Sequence, residues 1–112
     1  MMKNYIDWEQ VAQLRRDVGA DGFEEIIEVF LDEVEEKAEE LRVCSPDTAL
    51  EEHLHFLKGS AKNVGFDYFS ELCASAEREA MSRDSVKIDI PHLLEAYNLS
   101  KAALLSELPK RF

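Results

Sequence analysis

The sequence predicts an all-α protein: an antiparallel up-and-down four-helix bundle with a short additional helix at its N-terminus. Three observations carry that expectation. Apolar residues recur at steps of three and four through most of the chain, the spacing of a buried helical stripe. Glycine, serine and proline punctuate these runs at Gly19, Gly22, Ser45-Pro46, Gly65 and Pro109. The length, 112 residues, suits a single domain over 1–112 with a two-layer helical core and leaves too little chain for a second.

A short first helix is expected between Ile6 and Val18. Asp7 suits its N-cap, Glu9 and Gln10 its first turn, and Trp8, Val11, Leu14 and Val18 have helical spacing. Gly19 ends it, with Trp8 lying across the end of the bundle. After Gly22, Phe23, Ile26, Ile27, Phe30, Val34, Ala38 and Leu41 define a long helix. Glu24, Glu25, Glu28, Asp32, Glu35, Glu36 and Glu39 fall on its outer side, which reads as a solvated face with docking as the rarer use. At Cys44-Ser45-Pro46-Asp47 the pattern breaks: Ser45 can cap and Pro46 fits a first turn, so a third helix starts here and runs to Gly65. A fourth is expected from Phe66 or Asp67 to about Arg83, on the stripe Phe69, Leu72, Cys73, Ala76 and Ala80. Arg83-Asp84-Ser85 makes a loop. Asp89 as cap and Pro91 in the first turn then open a fifth helix from about Ile90 to Leu108. It packs through Leu93, Leu94, Tyr97, Leu104, Leu105 and Leu108 and is stopped by Pro109.

Composition narrows the function. A net charge of −11 argues against nucleic acid and anionic membrane as partners, since both need a positive footprint. No apolar run approaches the roughly 18 residues that span a bilayer, and the N-terminus MMKNYIDWEQ is polar within a few residues, so a cytoplasmic protein is expected. Cys44 and Cys73 lack metal-ligand spacing and read as reduced thiols, Cys73 as a small apolar filler.

The third helix carries the chemistry. Stepping about 100° per residue, Leu50, Leu54, Leu57, Ala61 and Val64 share one direction and His55 lies about 140° away, facing water beside Lys58, Gly59 and Lys62. A lone histidine is more often a core residue or a surface accident. Here an ammonium at i+3 suits an anion better than a metal cation. Gly59 at i+4 costs about 1 kcal/mol relative to alanine inside a helix, and the missing side chain lets another surface approach the ring. Glu77 stands twelve residues after Gly65 and His55 ten before it, so neighbouring helices joined at that turn bring the two level. A carboxylate on Nδ1 would leave Nε2 outward as nucleophile.

The run His55-Phe56-Leu57-Lys58-Gly59-Ser60-Ala61, with Gly65 further on, resembles the signature of histidine-containing phosphotransfer (HPt) domains, roughly His-x-Leu-Lys-Gly-Ser/Ala-Ala-x-x-x-Gly. The resemblance covers nearly the whole chain and implies the same helical bundle. It implies a phosphorelay carrier that takes a phosphoryl group from a receiver-domain aspartate onto His55 and passes it to another receiver. Lys58 would neutralise the phosphoryl oxygens, Lys62 would add to the field, and Gly59, Ser60 and Asn63 would offer low relief for docking. The implied partners are response-regulator receivers, with a hybrid histidine kinase as one source of them. Those receivers bring their own magnesium; the chain shows no P-loop, ATP-binding glycine pattern or acidic metal cluster of its own, so it reads as a monomeric carrier without cofactor rather than an enzyme. Family members commonly have glutamine where Glu77 falls and alanine where Phe66 falls. Glutamate is more like the phosphoryl-carrying domain of chemotaxis-type histidine kinases, which an ATP-bound kinase module phosphorylates, and that is the alternative reading. A plain interaction bundle and a metal-binding bundle using His53, His55 or His92 are the remaining rivals. The starting methionine and the tail Leu108 to Phe112 fit a free-standing module, and an excised piece would look the same.

Overall fold

Two glycines decide how the helices join. The structure, a computed structural model, describes residues 5–43, 47–82 and 88–111; these form four helices and no strand, α1 (Trp8–Val43), α2 (Asp47–Asn63), α3 (Asp67–Met81) and α4 (Ile90–Arg111). Gly19 has φ 81° and ψ 167°, a region essentially closed to residues with a Cβ, and it breaks α1 within one residue. Helix resumes at once, so the expected first and second helices meet directly at a kink at Gly19, and the second begins before Gly22 rather than after it. Val18, the last residue of the apolar spacing expected for the first helix, is exposed next to the kink at Gly19.

Gly65 (φ 83°) ends the turn after α2 and is also where the start of α1 leans on the bundle. Asp7 N donates to Gly65 O at 2.7 Å, and Gln10 Nε2 donates to Asn63 O at 2.9 Å. A Cβ at Gly65 would lie 2.8 Å from both Asp7 O and Val11 Cγ2, so the close approach as well as the positive φ needs glycine. Asp7 caps α1 through Oδ1 and Gln10 N, and Asp89 caps α4 through Oδ1 and His92 N, both as their sequence context suggests. Trp8 is half-buried, with the Arg111 guanidinium 4.0 Å above its ring.

The core follows the predicted stripes, with Ile26, Leu72 and Leu108 only partly buried at its margin. Phe66 is fully buried, edge-on to Phe30 at 4.9 Å and near Tyr97 at 6.1 Å, which explains a bulky residue at the head of α3. On α4 the buried line runs Leu93, Tyr97, Ser100 and Leu104 at steps of four and three. Leu105, about 100° from Leu104, falls off that line and is half-exposed. Pro109 does not stop α4, which continues to Arg111; the proline forfeits only the bond to the Leu105 carbonyl, at an exposed end where water can replace it.

Cys73 is a buried free thiol whose pKa burial pushes up, as a filler's should be. Cys44, the Ser45-Pro46 start of the third helix and the Arg83-Asp84-Ser85 loop lie outside the described residues. Among the described residues no helix is long and apolar enough to cross a membrane.

Candidate functional site

Leu50, Leu54, Leu57 and Ala61 of α2, and Val64 just past its end, are all buried, and this fixes the rotation of the helix. His55 is consequently thrown outward, with 70% of its side-chain surface exposed. On α3, the buried stripe Phe69, Cys73, Ala76 and Ala80 has two polar members beside it, Ser70 and Glu77. Seven residues apart, they lie on one face, and both reach α2. Ser70 Oγ donates to the Lys58 carbonyl at 3.1 Å.

Glu77 is the centre of the arrangement. Its Oε2 lies 2.8 Å from His55 Nδ1, and its Oε1 accepts from Lys58 Nζ at 2.6 Å. The carboxylate is buried, with 11% of its side chain exposed, whereas the ring it holds is open to solvent. Burial alone would raise its pKa; the Lys58 hydrogen bond outweighs that, the His55 bond adds to it, and the carboxyl is held below the usual glutamate range. An ionised carboxylate has only acceptors, so the hydrogen in the contact with the ring is on Nδ1, and in a neutral ring the free lone pair is then on Nε2.

The structure thus brings His55, Lys58 and Glu77 together. Two features go beyond the sequence reading: Glu77 is buried, and Lys58 is engaged by Glu77. Gly59 faces open space, since an added Cβ would meet no atom within 4 Å. Lys62 is exposed on α2. Ser60 and Asn63 sit on the other flank of α2, lining a groove of about 320 Å³ with Glu25, Ile26, Val29, Phe30, Glu33 and Val64. Glu25, Ile26, Val29 and Glu33 were not singled out from the sequence as site residues. Their signal is a half-apolar ridge at steps of three and four beside the core stripe of α1. Ser70 was missed too; a serine on the apolar side of α3, seven before Glu77, is its signal.

The other histidines take no part. His53 lies 3.4 Å from Glu40, and His92 is exposed on α4. Among the described residues no group of three or more histidines, cysteines or acids converges as a metal site would require.

An exposed imidazole held by a buried carboxylate, with a lysine on the same carboxylate, is consistent with the signature around His55, and a family comparison agrees. The model of the Hpt domain matches residues 25–108. The chain belongs to the Hpt domain family. The match spans His55, Lys58 and Glu77 and begins after the Gly19 break. No curated protein and no solved structure matched the chain. Hpt domains are phosphocarrier modules that serve histidine phosphotransfer in two-component signalling and interact with receiver domains.

Proposed function

We propose that this Hpt domain is a phosphorelay carrier that accepts a phosphoryl group from a receiver aspartate on Nε2 of His55 and hands it to a second receiver. The observation that carries the reading is the pairing of an exposed ring with a buried carboxylate on its Nδ1. The Nε2 lone pair attacks phosphorus as the bond from phosphorus to the aspartyl oxygen breaks, and that electron pair leaves on the receiver's carboxylate. The product ring bears Nε2–P, Nδ1–H and one positive charge, which Glu77 offsets. Return transfer to another aspartate reverses these steps.

Lys58 has two successive roles. At rest it keeps Glu77 ionised; once the phosphoryl group arrives, its ammonium is within a short side-chain swing of the new negative charge. Lys62, Gly59, Ser60 and Asn63 serve docking. The chain acts as a single monomeric domain without a cofactor of its own, magnesium being supplied by the receiver. An antiparallel up-and-down order of the helices, with the segment before Gly19 as the additional helix, fits the contacts of His55 with Glu77 and of Lys58 with Ser70.

Incubation with a phosphorylated receiver tests the reading: acid-labile label on the wild type and none on His55→Gln supports it, and equal labelling of both overturns it. Glu77, a carboxylate where glutamine is common, favours the second reading, in which the donor is an ATP-bound kinase module. Labelling by such a module with ATP, and by no receiver, would decide for it.

A further inference from the structure

The face that carries His55 is electrically divided. On the α3 side stands Lys58, paired with Glu77, with Lys62 exposed a turn further along α2. On the α1 side the groove beside Ser60 and Asn63 is rimmed by Glu25 and Glu33, while the nearest α1 cation, Lys37 over the Phe56 ring, is paired with Glu40. Neither glutamate has a cationic partner among the described residues. The floor is apolar: Phe30 and Val64 are buried, Ile26 is half-buried, and Val29 is 50% exposed, a large hydrophobic left uncovered. At about 320 Å³ the groove is at the lower end of the roughly 300–1,000 Å³ that enclose a drug-sized ligand, and it lies open along the helices, which suits a side chain projecting from a partner surface.

We propose that this groove sets partner choice, seating an apolar side chain flanked by lysine or arginine on the docking receiver, with Glu25 and Glu33 as specificity-determining residues. The inference rests on the phosphotransfer reading and adds the partner's charge to it. Uncompensated carboxylates around an apolar floor attract a basic rim and repel an acidic one, while the lysines across α2 favour the acidic pocket that carries the receiver's aspartate. The two halves together orient the partner: reversing it places like charges against both rims.

The test uses the full chain and a phosphorylated receiver domain that labels His55. Glu25→Lys/Glu33→Lys is expected to raise KM for transfer roughly tenfold, with kcat within about twofold, because rim charges act on encounter more than on the chemical step. Val29→Ala, which leaves charge untouched, is expected to raise KM by a smaller factor. Labelling of His55 by phosphoramidate, a donor too small to need the groove, should be unchanged in both variants. A receiver whose basic rim residues are reversed to glutamate should transfer poorly to the wild type and recover with the lysine variant. An unchanged KM in the lysine variant, an equal loss with phosphoramidate, or no recovery with the reversed receiver overturns the proposal. If the wild type takes label from neither donor, the phosphotransfer reading itself fails and this one with it.

Discussion

Two glutamates in this molecule hold the same set of parts in opposite orientations. Glu77 receives Lys58 at 2.6 Å and the His55 ring at 2.8 Å; Glu35 receives Lys101 at 3.0 Å and the Tyr97 hydroxyl at 3.0 Å. Each carboxyl is held below the usual glutamate range, in both cases chiefly by the lysine. At the first site the carboxylate is buried and the ring is 70% exposed. At the second the ring is buried and the carboxylate is 53% exposed. An acid anchored inside and reaching outward holds an exposed ring, which on the proposed function is the nitrogen offered to a receiver; an acid outside and reaching inward ties α4 to α1. Burial, rather than the inventory of side chains, separates a site from a strut.

Exchanging the roles should therefore fail in predictable ways. The largest effect is at His55, where replacement by glutamine is expected to abolish acid-labile label. Tyr97→Phe, its counterpart, should leave transfer within about twofold, as read from label per minute. Next comes Glu77→Ala, which should slow transfer roughly 10²-fold, the lower end of what positioned proton-handling groups contribute. Glu77→Gln keeps an acceptor for Nδ1 but removes the charge, so its rate should fall between those of wild type and alanine variant; Glu35→Ala should match wild type.

Acid separates the two sites less sharply. Glu77 and Glu35 both bind protons less readily folded than unfolded, so the stability they add is complete above the ordinary glutamate pKa of about 4.3 and is lost as pH falls through and below it. Denaturant midpoints taken between pH 7 and 3 should drop less steeply in Glu77→Gln than in wild type. A parallel decline would show that the buried carboxylate carries no such linkage.

Tyr97→Phe should cost about 1 kcal/mol in denaturant unfolding, the usual net value of one hydrogen bond, because the exposed Glu35 rehydrates. Smallest is Gly59→Ala. The added methyl meets nothing, so the helix should gain up to about 1 kcal/mol, yet transfer from a receiver should slow while labelling by phosphoramidate does not. A stabilised variant with unimpaired receiver transfer would show that the open space beside the ring is unused.

The chain displays its helices and its central histidine openly because periodic burial is a local property. Leu50, Leu54, Leu57, Ala61 and Val64 fix the rotation of α2 without reference to any other helix, and the outward His55 follows from them. Pairing with Glu77 could be reached by counting from Gly65, since a turn with a fixed φ sets how neighbouring helices meet. What could not be read was how deep Glu77 lies and that Lys58 reaches across to it, because depth depends on how closely α2 and α3 pack. The groove was hidden for a related reason: Val29 and Ser60 become neighbours only when α1 and α2 are side by side. Pro109 and Gly22 misled in the other direction, whereas Gly19 does end the first helical segment as expected. A proline near an exposed end sacrifices a single bond, and one glycine can redirect a helix without the loop that its neighbour Gly22 suggested.

The account stands on which ring nitrogen of His55 takes the phosphoryl group. With 15N-histidine protein labelled by a phosphorylated receiver, the 31P coupling should appear at Nε2, and the Nδ1 resonance should retain its proton and its bond to Glu77. Phosphorus coupled to Nδ1, or a phosphoryl group found on another residue, would contradict it.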